Sequence, residues 1–492
     1  MAVGDCGFAA IKHPDCLYID GAWVTPSTTR KLEVINPATE DTVCHVAEAM
    51  EPDVERAVAA ARRAFDSGPW PLMSHEERAG LMRAVAERVR ARAPDYAQAW
   101  TQEVGTLFHV AQHAAEMAAG QFDAYADLAR TFRFEEAHNS TRGAAAAFLV
   151  HEPVGVVAAI IPWNAPLQLL AIKVAPAMLA GCTIVIKASP EAPLDAYIFA
   201  EICEEVGLPS GVINMLVADR QVSEQLVRNR LIDKVSFTGS TAAGSKIASI
   251  CGERVARVTL ELGGKSAAVV LDDYGIEEAA SALAQATPML SGQVCAALTR
   301  IIVPRHRHDD LVDALSTAFR SIRIGEPYDG DAQLGPLAMK RQLERVEGFV
   351  ANGVEDGARL VTGGRRPTEF NRGYYFEPTV FANVDNRSTI ARDEIFGPVV
   401  SVIPASSEED AIRLADDSDY GLNACVFTND AACAYDVARR LRSGTVSHNK
   451  FMVDTGISFG GFKRSGIGRE GGTVGLLPYL ESKTILLARA LS

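Results

Sequence analysis

The chain has 492 residues, a formal net charge of −14, 48% apolar and 22% charged residues. That acidity opposes a polyanion partner, and the densest basic runs, "RHRHDD" (305–310) and "VARRLR" (437–442), are too short to reverse it, so no nucleic acid is expected. No run of about 18 apolar residues appears, so no membrane span is expected either.

The nine cysteines are Cys6, Cys16, Cys44, Cys182, Cys203, Cys251, Cys295, Cys425 and Cys433. The count is odd and no pair has C-x-x-C spacing, which argues against a disulfide framework or a zinc site. Scattered thiols suit a reducing compartment. The first residues, "MAVGDCGFAAIKHPDC", lack the apolar stretch of a secretory signal, so the expected location is cytoplasmic.

Residues 53–130 read as helices, with Val54, Val58, Ala61 and Phe65 on one face. Ser74 and Glu77 have the spacing of a capping box. Residues 131–152 break the pattern. They read as a ribbon, although "AAAA" (144–147) suits a helix equally.

From residue 153 short apolar runs alternate with helical stretches at 167–180, 193–206, 220–229 and 241–251. This predicts a parallel sheet covered on both faces, the architecture of nucleotide-binding domains. A second α/β stretch spans about 259–445, with helices at 276–287 and 309–322, and the tail returns to glycine-rich text.

Two tempting motifs are discounted. "GIGREG" (466–471) matches G-x-G-x-x-G, yet too little chain follows it for a βαβ unit. His306 and His308 read as a surface loop before a helix capped by Asp309, not as metal ligands.

Four stretches concentrate chemistry: "PWNAPL" (162–167), "FTGSTAAG" (237–244), "LELGGKS" (260–266) and "SGQVCAAL" (291–298). Gly239 and Ser240, between a strand and a helix, suit a phosphate, although Ser240 as a plain N-cap would look the same. Glu261 at a strand end serves an ion pair or acid–base chemistry. Asn164 sits in a turn context. Cys295 is by itself a small buried hydrophobe.

Together with "KASPEAPL" (187–194), "EIFGPV" (394–399) and "FGGFKRSGIGRE" (459–470), these stretches resemble the aldehyde dehydrogenase superfamily in order, from about residue 19 to 485. The resemblance implies an α/β fold with three parts. These are a Rossmann-like cofactor domain (1–130 and 151–258), a catalytic domain (259–446), and an oligomerisation segment (131–150 and 478–492). Residues 447–477 would return to the cofactor domain.

The resemblance also implies that Cys295 is the nucleophile, Glu261 the general base and Asn164 the oxyanion donor. It places the cofactor against Ile160, Pro162, Trp163, Lys187, Ser189, Pro190, Glu191, Phe237, Gly239, Ser240, Leu262, Glu394 and Phe396, with no metal. A homodimer or homotetramer is implied.

The chemistry is coherent on its own terms. A thiol adds to an aldehyde, donors hold the oxyanion, a nicotinamide takes hydride, and a base activates water to release the acid from the thioester. CoA in place of water, or a cofactor-free hydrolase pairing Cys295 with His448, would be the competing chemistries, and a scaffold with no activity a further one.

Three departures stand out, one of them Ser291, where the family commonly has an asparagine two residues before the glutamine. The family's K-x-x-E becomes Lys187-Ala-Ser-Pro190, with the acid one residue later at Glu191. NAD is still favoured, because Lys187 is the only cation in 174–219 free to pair a phosphate, and NADP stays open. Ser458 replaces a common proline before "FGG". Met289, Leu290, Val294 and Leu298 around the nucleophile are apolar, which suggests an apolar, aromatic or terpenoid aldehyde.

Overall fold

The computed structural model describes residues 10–489 and 491. Expectations that fall on residues 1–9, 490 and 492, Cys6 among them, lie outside the described residues.

The first large sheet contains five parallel strands, Val156–Ile160, Thr183–Ala188, Ile213–Val217, Lys234–Thr238 and Arg257–Glu261. Across the sheet they run third, second, first, fourth, fifth. Every residue of the first four is buried, which is why they read as unbroken apolar runs. The helices between them, Pro166–Ala180, Leu194–Val206, Arg220–Arg228 and Thr241–Glu253, fall where periodicity put them.

The strand order reverses between Val156–Ile160 and Lys234–Thr238, which opens a crevice at their C-terminal ends. Leu17–Ile19 and Ala22–Val24 extend one edge, and Gly466–Ile467 closes the other, antiparallel to Leu260–Glu261.

The second sheet has six parallel strands, in spatial order Thr379–Ala382, Val399–Ala405, Leu298–Pro304, Ser266–Val270, Asn423–Phe427 and Thr445–His448. Arg359–Thr362 lies antiparallel at one edge. The expected start of the second unit at 259 falls inside Arg257–Glu261, whose register with Lys234–Thr238 keeps it in the first sheet. The chain therefore crosses between sheets at Leu262–Lys265.

Helices Glu51–Ser67, His75–Ala91, Ala93–Val104 and Ala114–Thr131 occupy the N-terminal region. The Ser74–Glu77 capping box is present: Ser74 Oγ accepts from the Glu77 amide (3.2 Å), and Glu77 accepts from the Ser74 amide (2.8 Å). The alanines at 146 and 147 join a strand, Ala146–Pro153, paired with Glu135–His138 on one side and Leu480–Leu487 on the other. Pairing on both edges overrides alanine's helix preference.

The histidine pair corrects a detail. His306 is exposed and meets Asp272 at 3.0 Å. His308 is buried, opens the His308–Arg320 helix and accepts from the Asn383 amide (3.2 Å), so it is not in a surface loop and Asp309 is not the cap. Among the described residues there is no cluster suited to a metal, and no helix is long and apolar enough to cross a membrane.

Candidate active site

The first strand ends at Ile160 and delivers Pro162, Trp163 and Asn164 into the crevice. The start of the next helix is fixed twice. The Trp100 indole donates to the Asn164 carbonyl (2.9 Å), and the Asp195 carboxylate accepts from the Leu167 amide (3.1 Å). Asn164 is buried, and its side-chain amide donates to the Gln293 carbonyl (3.0 Å). That bond joins residues 129 apart in sequence and sets Asn164 against the loop of Cys295.

The thiol loop is held in an unusual shape. Leu290 (φ 49°) and Ser291 (φ 55°) are left-handed, followed by Gly292 (φ 74°). Left-handed backbone costs a leucine or serine about 1–2 kcal/mol. The Ser291 hydroxyl offsets this by donating to the Gly335 carbonyl (2.8 Å). Gln293, fully buried, donates to the Leu290 carbonyl (3.0 Å) and accepts from the Ala338 amide (3.0 Å). Gly264 passes so close that a Cβ there would lie 2.3 Å from the Cys295 carbonyl oxygen. Sequence reading gave Gln293 no role.

Cys295 itself is half-buried. Burial, then the charges of Glu394 and Glu261, push its thiol up to about 12, while the amides of Ala296 and of Cys295 itself pull the other way. These amides are backbone donors facing the sulfur. His448 is committed elsewhere, its Nε2 lying 2.9 Å from the Thr428 carbonyl.

Of the four apolar residues expected around the thiol, Val294 is in place. Leu298 lies in the core of the second sheet, while Met289 and Leu290 line an open cavity of about 1290 Å³ with Val110 and Ala314. Cys295 packs against a small apolar cluster of Ala296, Leu422 and Phe459, on which Val294, Phe451 and Val453 also pack.

Glu261 is buried with no hydrogen-bond partner on either carboxylate oxygen. Gly460 backs it: a Cβ there would lie 2.5 Å from Oε1. Burial first, and the neighbouring Glu470 second, raise its pKa well above the ordinary carboxylate range, with Lys173 and Arg469 opposing. Lys173 and Glu470 form a buried ion pair. Glu470 belongs to the discounted "GIGREG" stretch, which thus contributes a wall of the site. Sequence reading missed both members of the pair. The available signal was a lysine in the otherwise apolar helix "PLQLLAIKVAPAMLA".

On the other side of the thiol, Glu394 accepts from the Gly264 amide (3.2 Å), and a Cβ on Gly263 would lie 2.4 Å from its Oε2. Burial lifts Glu394 to about 7, against the Gly264 amide and the charges of Arg345 and Lys265. Phe396 (φ 62°) meets the Trp163 ring edge-on, centroids 5.4 Å apart.

Beyond them Ile160, Phe237 and Leu262 belong to one apolar cluster. Gly239 lies over it, where a Cβ would come within 2.5 Å of the Phe237 ring. Ser240 caps the Thr241–Glu253 helix, accepting from the Ala243 amide (3.3 Å). Ser189 donates to Glu191, and Pro190 is half-buried between them.

Lys187 is buried, and its ammonium makes no hydrogen bond to the described residues. Desolvation lowers it to about 8, with Glu191 and Asp219 opposing. A buried free cation, a helix N-terminus and a bare glycine make a fitting cradle for a dinucleotide.

Known proteins agree with this architecture. The model of the Aldehyde dehydrogenase family matches residues 23–485. Geranial dehydrogenase of Castellaniella defragrans is 40% identical over 472 residues, 96% of this chain and 98% of that protein. A Mycobacterium tuberculosis aldehyde dehydrogenase solved with NAD+ is 41% identical with a TM-score of 0.94, covering 97% of this chain and 99% of that one. A mutant of aldehyde dehydrogenase C from Pseudomonas syringae, solved with NAD+ and octanal, is 38% identical with a TM-score of 0.94, covering 98% of both chains. Their similarity spans nearly every residue that builds the crevice, and the chain belongs to the aldehyde dehydrogenase family, an enzyme that oxidises aldehydes.

Proposed function

We propose that the enzyme oxidises an apolar aldehyde to its acid with NAD, through a covalent intermediate on Cys295. The observation that carries this is convergence: Asn164 is bonded to the loop of Cys295, and Glu261 acts electrically on its sulfur. Cys295 gives up its thiol proton to water, and the sulfur adds to the carbonyl carbon. The resulting oxyanion takes hydrogen bonds from the Asn164 amide and the Cys295 backbone N–H, donors worth about 3 kcal/mol each. The cofactor, when bound, supplies the hydride acceptor. Lys187, Glu191, Gly239 and Ser240 hold its adenosine and pyrophosphate end, and Glu394 and Phe396 its nicotinamide end. Glu261 then takes a proton from water, which attacks the thioester and frees the acid.

The apolar wall of Val294, Phe451, Val453 and Phe459 supports an apolar substrate. So do geranial and octanal, named for two of the relatives. NAD is favoured because two relatives were solved with it. The exposed outer strand Leu480–Leu487, open on one side, supports assembly with further copies of this chain.

The test is an aldehyde panel followed by nicotinamide fluorescence. Terpenoid, aromatic and medium aliphatic aldehydes should show kcat/KM about 10-fold or more above small hydrophilic ones. Product that requires free CoA would overturn the hydrolytic route, and acid formed without reduced nicotinamide would overturn the oxidation.

A further inference from the structure

The Lys340–Glu355 helix touches both ends of the cofactor crevice. Gln342 donates to the carbonyls of Ile395 (3.1 Å) and Phe396 (2.7 Å), and Arg345 donates to the Ile395 carbonyl (3.3 Å). These bonds hold the loop of Glu394 and Phe396. Arg341 turns the other way. Its guanidinium meets Glu191 Oε1 at 2.6 Å, while Glu191 Oε2 accepts the Ser189 hydroxyl. Lys187 lies within electrostatic reach of the same carboxylate.

Sequence reading found one cation at the adenosine end. The fold brings a second from 150 residues away, contributed by the catalytic side of the crevice. The Arg341 side chain is 63% exposed and that of Glu191 is 24% exposed, so the pair is screened by water and opens at small cost.

We propose that Arg341 is the specificity-determining residue for the choice between NAD and NADP, with Glu191 as its restraint. This rests on the dinucleotide reading above. A 2′-phosphate would arrive beside Lys187 and compete with Glu191 for the guanidinium, whose planar fork suits a phosphate as well as a carboxylate. Glu191 occupies the fork and repels the phosphate, so the 2′-hydroxyl cofactor is favoured. Without Glu191, Lys187 and Arg341 form a two-cation site for the phosphate.

The test titrates NADH and NADPH by energy transfer from protein to nicotinamide, in wild type, Glu191→Gln, Arg341→Gln and the double variant. Wild type should bind NADH about 10-fold more tightly or better. Glu191→Gln should tighten NADPH by about 10-fold, and adding Arg341→Gln should remove that gain. Arg341→Gln alone should leave NADH within about 3-fold and not improve NADPH. A gain that survives in the double variant, or equal changes for both cofactors, overturns the role of Arg341 while leaving the dinucleotide site standing. Failure of wild type to bind NADH overturns the dinucleotide reading itself.

Discussion

The two sheets meet the same crevice with opposite ends. The first presents the C-terminal ends of its strands, carrying Asn164, Gly239 and Glu261. The second presents the N-terminal ends: Gly263 and Gly264 lead into Ser266–Val270, Cys295 into Leu298–Pro304, and Glu394 and Phe396 into Val399–Ala405. Helix N-termini follow Asn164 and Gly239, so backbone donors are available there without further machinery. The thiol has no such helix. Its loop is held by Gln293, by Ser291 and by left-handed backbone, and burial pushes the thiol pKa up. In the proposed mechanism one side of the crevice binds by fold, and the other reacts by side chains fixed individually.

The sharpest way to separate the sides is to delete the thiol. Cys295→Ala should lower aldehyde oxidation by about 10⁴-fold or more while NADH binding stays within about 2-fold. Retained turnover would falsify the nucleophile assignment, and lost NADH binding would show that the two sides are not separable.

Glu261 ends a strand of the first sheet, yet its charge reaches the thiol carried by the second. Glu261→Gln should give one burst of reduced nicotinamide, an accumulated acyl-enzyme detectable by intact mass, and steady-state turnover lower by about 10²–10⁴-fold. A burst-free decline in the first turnover would assign Glu261 to thiol activation instead. Asn164→Ala comes next, with a loss of about 10²–10³-fold in kcat and little change in NADH affinity.

The asymmetry also explains what sequence could show. Unbroken apolar strands and alternating helices made the first sheet legible, because burial on both faces leaves a compositional trace. Cys295, Glu261 and Asn164 stand out in the sequence through the motifs around them, and the fold brings all three to one crevice. The Lys173–Glu470 pair and the Arg341–Glu191 pair were not, since their members lie 297 and 150 residues apart and neither residue alone signals its partner. The strain at Leu290 was equally hidden, because nothing in "MLSG" requires a left-handed leucine.

The buried pair behind Glu261 makes a pH prediction. Burial and Glu470 both raise the Glu261 pKa, and the base works only when deprotonated, so the thioester-hydrolysis rate should rise with pH through that pKa. Glu470→Gln removes one raising charge and leaves Lys173 facing Glu261. The acidic limb of the hydrolysis rate should therefore move to lower pH. An unchanged or upward-moving limb would place Glu470 outside the electrostatics of the base.

The smallest expected effect probes the loop on the second-sheet side. Leucine at φ 49° is strained, asparagine adopts that backbone readily, and β-branched residues adopt it worst. Leu290 is only partly buried, so its apolar contacts are a modest part of its worth. Leu290→Asn should therefore be more stable than Leu290→Val by about 1–2 kcal/mol, although valine is the closer hydrophobe. Chemical denaturation of the two variants measures the difference. If the valine variant is the more stable, the loop relaxes freely, and Gln293 and Ser291 alone hold the thiol where Asn164 can reach it. If the asparagine variant is, the strain belongs to the native loop, and the second sheet holds its nucleophile at a conformational cost that the first sheet, with its helix N-termini, never meets.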